Sequence, residues 1–367
     1  MFSEVYQNKS VWLSGGTGFK GAWLAEWLLL MGAKVRIFSL PPPTSPSLFE
    51  QVGLASRLEW HKGDIRDAKG VRESLFGCAP DFVFHLAAQP LVRLSYEQPV
   101  ETYETNVLGT IHVMEALRTL RKPCAAVMVT TDKCYENREW VHGYREEDSL
   151  GGYDPYSSSK AAAEIAIASW RRSFFQGNPV RLASARAGNV IGGGDWALDR
   201  IVPDSIRALV AGNPIAVRSK TSVRPWQHVL EPLSGYLWLA AVLAKPELAH
   251  RAGEQSAGAF NFGPGHEANH TVADLVAEIL KHWPGTWDDC SAPNAFHEAS
   301  LLQLATDKAN ALLGWAPVWK FPEAVRETVR WYHAAVVGDP QKIQSLVISQ
   351  IEGYHRAAME QEAVWST

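Results

Sequence analysis

Tyr156 and Lys160 stand four residues apart, the spacing that puts two side chains on one face of a helix. An ammonium beside a phenol favours the phenolate, because an opposite charge stabilises the ionised form. A phenolate so placed can take a proton from a sugar hydroxyl. Upstream, Thr131-Asp132-Lys133 supplies a hydroxyl, a carboxylate and an amine side by side. Adjacent acid and base of this kind titrate as one coupled unit. Near the start of the chain, Gly15, Gly18 and Gly21 form a GxxGxxG loop. Together the three segments read as an enzyme that oxidises a hydroxyl with a dinucleotide. The histidines show no metal spacing, so no metal is expected.

The elements that must position these groups alternate. Val11 to Ser14 reads as a strand, Gly15 to Gly21 as a turn and Ala22 to Met31 as a helix. Glycines there permit a tight turn and let a pyrophosphate approach the positive end of the helix. Further strands are expected at Lys34 to Phe38, Leu58 to His61, Phe82 to Leu86, Ala125 to Thr130 and Val180 to Arg186. Helices are expected at Ala68 to Leu75 and Thr105 to Leu120. This order predicts an α/β fold with a Rossmann-like doubly wound parallel sheet. After Gly188 the pattern changes: Gly192-Gly193-Gly194 reads as a flexible turn, Trp196 to Gly212 as a helix, and Leu233 to Leu243 as a helix returning to the sheet. The expected division is a dinucleotide-binding domain over 1–188 with a returning segment near 227–262. A smaller, interleaved α/β substrate domain is expected over 189–226 and 263–357. The tail from Leu346 to Thr367 is moderately amphipathic, with no docking site evident.

The chain has 367 residues, 46% of them hydrophobic and 20% charged, as in an ordinary soluble globular protein. A net charge of −4 gives no basic excess and disfavours nucleic acid as a partner. Cys78, Cys124, Cys134 and Cys290 show no paired framework, which suits a reducing cytosol. Cys134 reads as the filler of a small apolar niche. The N-terminus is polar and enters a strand directly, and no stretch is long and apolar enough to span a bilayer. Cytoplasmic location without membrane contact follows as the expectation. The fifteen tryptophans read mainly as packing. The second strand ends in Ser39-Leu40, where an acid would hold the ribose of NAD. No arginine in the adjoining loop awaits a 2′-phosphate, so NAD is favoured over NADP.

The glycine loop, His85-Leu86-Ala87-Ala88-Gln89, Asn106-Val107-Leu108-Gly109-Thr110 and the YxxxK pair resemble the extended short-chain dehydrogenase/reductase superfamily. The likeness runs to about Gly263. Thr130-Thr131-Asp132-Lys133-Cys134-Tyr135 resembles the nucleotide-sugar 4,6-dehydratases. Gly188 to Trp196 and Arg224 to Val229 bring it close to the branch acting on CDP-glucose. That resemblance implies NAD as cofactor, a CDP-glucose substrate and a role in deoxysugar and lipopolysaccharide O-antigen synthesis.

It also implies roles for residues. Tyr156 is the base at carbon 4, assisted by Lys160 and Thr131. Lys133 takes the carbon 5 proton where dTDP-glucose enzymes carry glutamate, and Asp132 is the acid at carbon 6. Those two roles require Lys133 neutral and Asp132 protonated. Gly15, Thr17, Gly18, Phe19, Lys20 and Gly21 line the cofactor, joined by Asp64 and Ile65 at the adenine. Leu86, Ala87 and Ala88 lie along it, and Asn106 orients a carbonyl and a water near Lys160. Arg93 and Tyr96 reach the hexose. Asn189, Arg200, Arg218 and Arg224 meet the diphosphate and sugar, since an arginine fork suits phosphate oxygens. His85 is expected to be a satisfied strand-end histidine.

A nucleotide-sugar 4-epimerase would share Tyr156, Lys160 and Thr131 but would have no use for Asp132-Lys133. A non-catalytic NAD sensor would need only the loop. Apolar faces around Val107 to Leu120 and Ala161 to Trp170 predict a homo-oligomer, a dimer or a tetramer.

Overall fold

In β1 (Ser10–Ser14), Val11 and Leu13 enter one core while Trp12 enters another, the alternation of a strand buried on both faces. A computed structural model describes residues 1–249, 251, 253–291 and 301–367. Residues 250, 252 and 292–300 of the expected segments lie outside the described residues. The chain continues through β2 (Lys34–Ser39), β3 (Glu59–Lys62), β4 (Phe82–His85), β5 (Cys124–Val129) and β6 (Val180–Ala187). Short strands follow: β7 (Val190–Ile191), β8 (Ile215–Val217), β9 (Val223–Pro225) and β10 (Gln227–His228). Then β11 (Ala259–Phe262) rejoins the sheet, and β12 (Asn269–Thr271) and β13 (Trp287–Asp289) pair outside it.

The main sheet is seven-stranded, in the order β11-β6-β5-β4-β1-β2-β3, and all its pairings are parallel. Chain order reverses between β1 and β4, which opens a crevice at the carboxyl ends. Parallel strands need long crossovers, and helices supply them. These are α1 (Phe19–Leu30), the short α2 (Leu48–Gln51), α3 (Ala68–Cys78), α4 (Val92–Glu97), α5 (Pro99–Tyr103), α6 (Gly109–Arg118) and α7 (Pro155–Phe174). Beyond β6 come α8 (Ile201–Val210), α9 (Leu230–Ala244), α10 (Val272–His282), α11 (Asp307–Leu313), α12 (Phe321–Val336) and α13 (Ile343–Glu360). Val71, Val113 and Ile167 of α3, α6 and α7 fill one face of the sheet with Trp12. Trp23, Leu237, Trp331 and Ile351 of α1, α9, α12 and α13 lie in the core on the other.

Several expectations change. The first helix starts at Phe19 rather than Ala22, because extended Gly18 caps it and its carbonyl takes the Ala22 amide at 2.9 Å. The long helix expected at 105–120 opens as a π-helical turn over Glu104–Leu108. There Thr110 takes the Asn106 carbonyl through its hydroxyl at 2.7 Å. Only Ile201–Val210 of the expected 196–212 helix forms. Trp196 bonds Gln51 at 3.2 Å, and the Tyr332 hydroxyl donates to the Asp195 carbonyl. The triple glycine is not a flexible turn but a place of close approach. A Cβ on Gly193 would fall 1.9 Å from Trp331 Cγ, and Trp23 Nε1 donates to the Gly193 carbonyl at 2.9 Å. The tail does dock: α13 packs on α1 and α12, and Trp365 stacks between Phe2 and Tyr354.

Glu231 fastens that docking from the first turn of α9. Its carboxylate accepts from the Val318 amide at 2.9 Å, the Trp319 amide at 2.6 Å and the Tyr354 hydroxyl at 2.7 Å. It is fully buried with no ion-pair partner among the described residues, and burial pushes its carboxyl up from 4.5 to about 7. A folded pKa above the unfolded one makes protonation stabilising: that contribution is complete below 4.5 and is lost as pH rises through about 7. Its full size is about 3 kcal/mol. The melting temperature of the parent should therefore rise relative to Glu231→Gln as pH falls from about 7.5 to about 5.5. A gap that stays constant in differential scanning calorimetry would refute this.

Candidate active site

The glycine loop closes tightly on the carboxyl ends of β1 and β4. Gly15 has φ +73°, and a Cβ there would lie 2.7 Å from the Ala87 amide nitrogen. A Cβ on Gly21 would lie 2.1 Å from the Gly15 carbonyl oxygen. Both positions exclude a side chain, which leaves a cradle of backbone at the amino end of α1, where a pyrophosphate is favoured. Thr17 ties the loop to the end of β2, with its hydroxyl 2.6 Å from Ser39 Oγ and donating to the Leu40 carbonyl at 2.9 Å. Arg36 is turned away from this end, to the Ser74 carbonyl at 2.9 Å and Glu59 at 2.8 Å. Phe19 packs toward Gly192 and Val229.

Other residues expected along a cofactor have partners of their own. Leu86 and Ala87 donate their amides to Ser14 Oγ at 3.1 and 3.2 Å, which fixes the chain leaving β4, and Ala88 follows them. Asp64 is gripped by Arg66 at 2.6 Å, which lowers its carboxyl, and Asp67 is the helix cap. Ile65 is buried in the core beside α6, and its carbonyl lies 3.1 Å from the His112 ring. Asn106 is a latch that holds a backbone carbonyl. It accepts from the Gln89 amide at 2.9 Å and donates to the Gln89 carbonyl at 3.1 Å and to Ser159 Oγ at 2.9 Å. His85 lies between Ser14 at 2.7 Å and Thr110 at 3.0 Å, and burial pushes it down to about 3, so it is neutral and satisfied.

The candidate catalytic groups meet at the carboxyl end of β5 and the first turns of α7. Asp154 caps α7 by accepting the Ser157 amide at 2.9 Å, and Ser95 accepts the Tyr156 amide at 3.1 Å. Tyr156 and Lys160 are both buried. Burial pushes the Tyr156 phenol up to about 12, opposed by hydrogen bonding from Thr131 and by the charge of Arg200. Lys160 stands one turn further along the same buried face of α7. Burial pushes Lys160 itself down to about 8, against Glu164. Thr131 Oγ1 donates to Asp132 Oδ1 at 2.8 Å. Asp132 is buried against Gly188, where a Cβ would stand 2.5 Å from Oδ2. Burial raises its carboxyl, as a general acid requires, while Lys133, Thr131, Lys20 and Arg224 oppose. Lys133 is half-buried beside it, and Cys134 is buried in a small cluster with Tyr135, Tyr144 and Leu304.

Lys20 is more than a loop residue. Burial pushes it down to about 8, assisted by Arg200 and Lys160 and opposed by Asp132 and Asp195. It therefore shares the field of the acid/base groups, a placement its spacing from the glycines does not reveal. The arginines expected at a diphosphate come with acids. Arg200 pairs with Asp195 at 2.7 Å. Arg218 pairs with Asp199 at 2.7 Å and Asp204 at 3.2 Å, and Arg93 with Asp199 at 3.1 Å. Arg224 donates to the Val223 carbonyl at 2.9 Å and acts on Asp132. Tyr96 is exposed on α4, and the Asn189 carbonyl accepts from the Gln227 amide at 3.3 Å. Asp195, Glu164 and Arg186 were not found from the sequence. A single acid in a strand or helix carries no local signal of its partner.

The family model described as GDP-mannose 4,6 dehydratase matches residues 13–328. The chain is 48% identical over 353 residues to the CDP-glucose 4,6-dehydratase of Salmonella typhimurium, covering 93% of this chain and 95% of that one. A solved dTDP-glucose 4,6-dehydratase from Streptomyces venezuelae with NAD and TYD bound superposes with TM-score 0.75 at 22% identity, covering 90% of this chain and 99% of that one. At that identity it speaks for the fold alone. A Thermus thermophilus UDP-glucose 4-epimerase in complex with NAD gives TM-score 0.75 at 25% identity, covering 89% and 99%. With its Rossmann-like sheet, glycine cradle and buried Tyr156-Lys160 pair, the chain belongs to the GDP-mannose 4,6-dehydratase family of extended short-chain dehydrogenases/reductases.

Proposed function

We propose that this chain is a hydro-lyase that converts CDP-D-glucose to CDP-4-dehydro-6-deoxy-D-glucose with NAD held by the glycine loop. The observation that carries the reading is Asp132, buried against Gly188 with a raised carboxyl and followed by Lys133, in the same cluster as Thr131 and Tyr156. A 4-epimerase has no use for that pair, and a cofactor sensor has no use for Tyr156 and Lys160. The 48% identity to a CDP-glucose 4,6-dehydratase supports the same choice and the nucleotide. The cradle at Gly15 and Gly21 fits a dinucleotide, and the end of β2 offers no arginine to a 2′-phosphate.

Bound there, NAD supplies a hydride acceptor at carbon 4, a donor at carbon 6, and in its oxidised form a positive charge that favours the Tyr156 phenolate. Tyr156 takes the carbon 4 hydroxyl proton, with Thr131 holding the oxygen. The new carbonyl acidifies carbon 5, and Lys133 takes that proton. Asp132, its carboxyl raised by burial, gives its proton to the carbon 6 hydroxyl as it leaves as water. The Lys133 ammonium exchanges its hydrogens with solvent and delivers one to carbon 5 when carbon 6 is reduced, so no net oxidation occurs, and passage of the Tyr156 proton to Asp132 through solvent resets the pair. Arg93, Arg200, Arg218 and Arg224 bind diphosphate and sugar in exchange for contacts to Asp195, Asp199 and Asp204, with Asn189 and Tyr96 alongside. Residues 1–188 with the β10–β11 segment form the cofactor-binding part, and 189–226 with 263–357 the substrate part. Among the described residues no helix is long and apolar enough to cross a membrane. The cysteines are free thiols, which suits the cytosol.

Turnover of CDP-glucose in deuterated water should leave one deuterium at carbon 5 of a 4-keto-6-deoxy product. An unlabelled 4-epimer, or no product with any nucleotide hexose, would overturn the reading. Lys133→Met should abolish elimination while carbon 4 oxidation survives. Stopped-flow absorbance at the reduced nicotinamide band would then show cofactor reduced and not reoxidised, and a parent-like trace would refute the role. The chain is also expected to self-associate through α5 to α7, where Val100, Leu108, Ile165 and Phe174 are exposed. Sedimentation equilibrium should give a dimer or tetramer mass that falls with Leu108→Glu, and a monomer mass at micromolar concentration would refute it.

A further inference from the structure

Glu164 lies one turn beyond Lys160 on α7, on the same buried face. Its carboxylate accepts from Thr130 Oγ1 at 2.5 Å, Ser184 Oγ at 2.9 Å and Arg186 NH2 at 2.8 Å. Arg186 continues inward from β6: NH1 donates to the Tyr135 hydroxyl at 2.7 Å and the Glu146 carbonyl at 3.0 Å, and its guanidinium lies 5.0 Å from the Tyr135 ring centre. The Tyr135 hydroxyl donates in turn to Asn261 Oδ1 at 2.8 Å. The side chains of Glu164 and Arg186 are 2% and 4% exposed, so this is an ion pair withdrawn from water. Such a pair is no efficient source of stability, since desolvation offsets most of the attraction. Its place makes sense chemically: it bonds Thr130 and Tyr135 at the two ends of the catalytic run, and Glu164 stands one turn from Lys160 on the buried face of α7.

Lys160 has few neighbours to hold its charge. The titratable groups around it are Tyr156 one turn before and Glu164 one turn after it on α7, the Cys134 thiol after β5, His85 on β4 and Lys20 on α1. His85 is neutral and Lys20 is a cation, so Glu164 is the carboxylate in this set. Arg186 in turn, with Thr130 and Ser184, holds the Glu164 carboxyl low against burial, and Arg171 also lies in its field. We infer that Glu164, kept ionised by Arg186, is a positioning residue that maintains the Lys160 ammonium, so that this buried pair sets the alkaline limit of turnover. The inference rests on the reading of Tyr156 and Lys160 as the redox pair.

The test is the pH dependence of kcat/KM for CDP-glucose with saturating NAD. Glu164→Gln should move the basic limb down by about one pH unit. Arg186→Met should move it in the same direction, because the carboxyl then protonates in its buried site. Direct repulsion between Arg186 and Lys160 would give the opposite sign. Either single variant leaves an unpaired buried group and is at risk of misfolding. The double variant Glu164→Gln/Arg186→Met removes both charges and should recover most of the lost Tm while its basic limb stays low. A basic limb unmoved in every folded variant, or restored together with Tm in the double variant, would assign the pair a structural role only. Lys160→Met separates the two readings: if it retains turnover, the redox-pair assignment fails, whereas a dead Lys160→Met with an unmoved Glu164→Gln profile sinks this inference alone.

Discussion

The Glu164 carboxylate is the contact on which the site depends, because it is where helix and sheet are joined under the chemistry. Thr130 sits at the end of β5, Ser184 and Arg186 lie within β6, and all three donate to one carboxylate on α7. That junction sets the height and rotation of α7 over the strand ends. Tyr156 and Lys160 occupy the turns just before it, and Thr131 to Lys133 leave β5 just after it. Any slip of α7 would separate the phenol from Thr131. Asn106 fastens the same helix from its other side by bonding both Ser159 and the Gln89 backbone. The π-helical turn at Glu104–Leu108 is the local adjustment that lets Asn106 serve both.

Desolvation is the common cause of the site's electrostatics. It pushes Tyr156 and Asp132 up and Lys20 and Lys160 down, so each group is moved toward its neutral form. For Asp132 the direction suits an acid. For Tyr156 it is opposite to what a base needs, so the protein alone does not prepare the phenolate. The charges able to correct it are Arg200, the Lys160 ammonium one turn along α7 and the positive charge of bound NAD. Spacing puts Lys160 on one face with the phenol, and burial between strands shifts the titration of both.

How far the sequence could be read follows from the range of each interaction. The glycine loop, the strand-helix alternation of the first half and the YxxxK pair are local patterns, and they appear where they were expected. The errors fall where a residue is decided by a distant partner. Gly192 to Gly194 look flexible until Trp23 and Trp331 are laid against them. Trp196 reads as helical until Gln51 takes its indole. Spacing likewise does not show that Arg218 reaches Asp199 and Asp204. The fold could not have chosen the reaction either, since a dehydratase and a 4-epimerase superpose equally well at TM-score 0.75. That choice rests on Asp132 and Lys133.

The two ends of the chain complete the support of the cofactor loop. The Phe2 amide donates to the Trp365 carbonyl at 2.8 Å and the Ser3 amide to the Thr367 carbonyl at 2.6 Å. Phe2 and Tyr354 stack on opposite sides of Trp365, and Trp27 of α1 meets both Phe2 and Tyr354 edge-on. α1 is nearly all apolar and buried along its length, with little amphipathic preference to fix its rotation. Its rotation is fixed instead by shape, through indoles clasped by chain termini on one side and by Gly193 on the other. Because the glycine cradle opens at the amino end of this helix, the aromatic clasp at its far end and the close approach of Gly21 to Gly15 act on one rigid body. The amphipathic tail that carried no legible role is therefore part of what keeps Lys20 and the cradle aligned with Asp132.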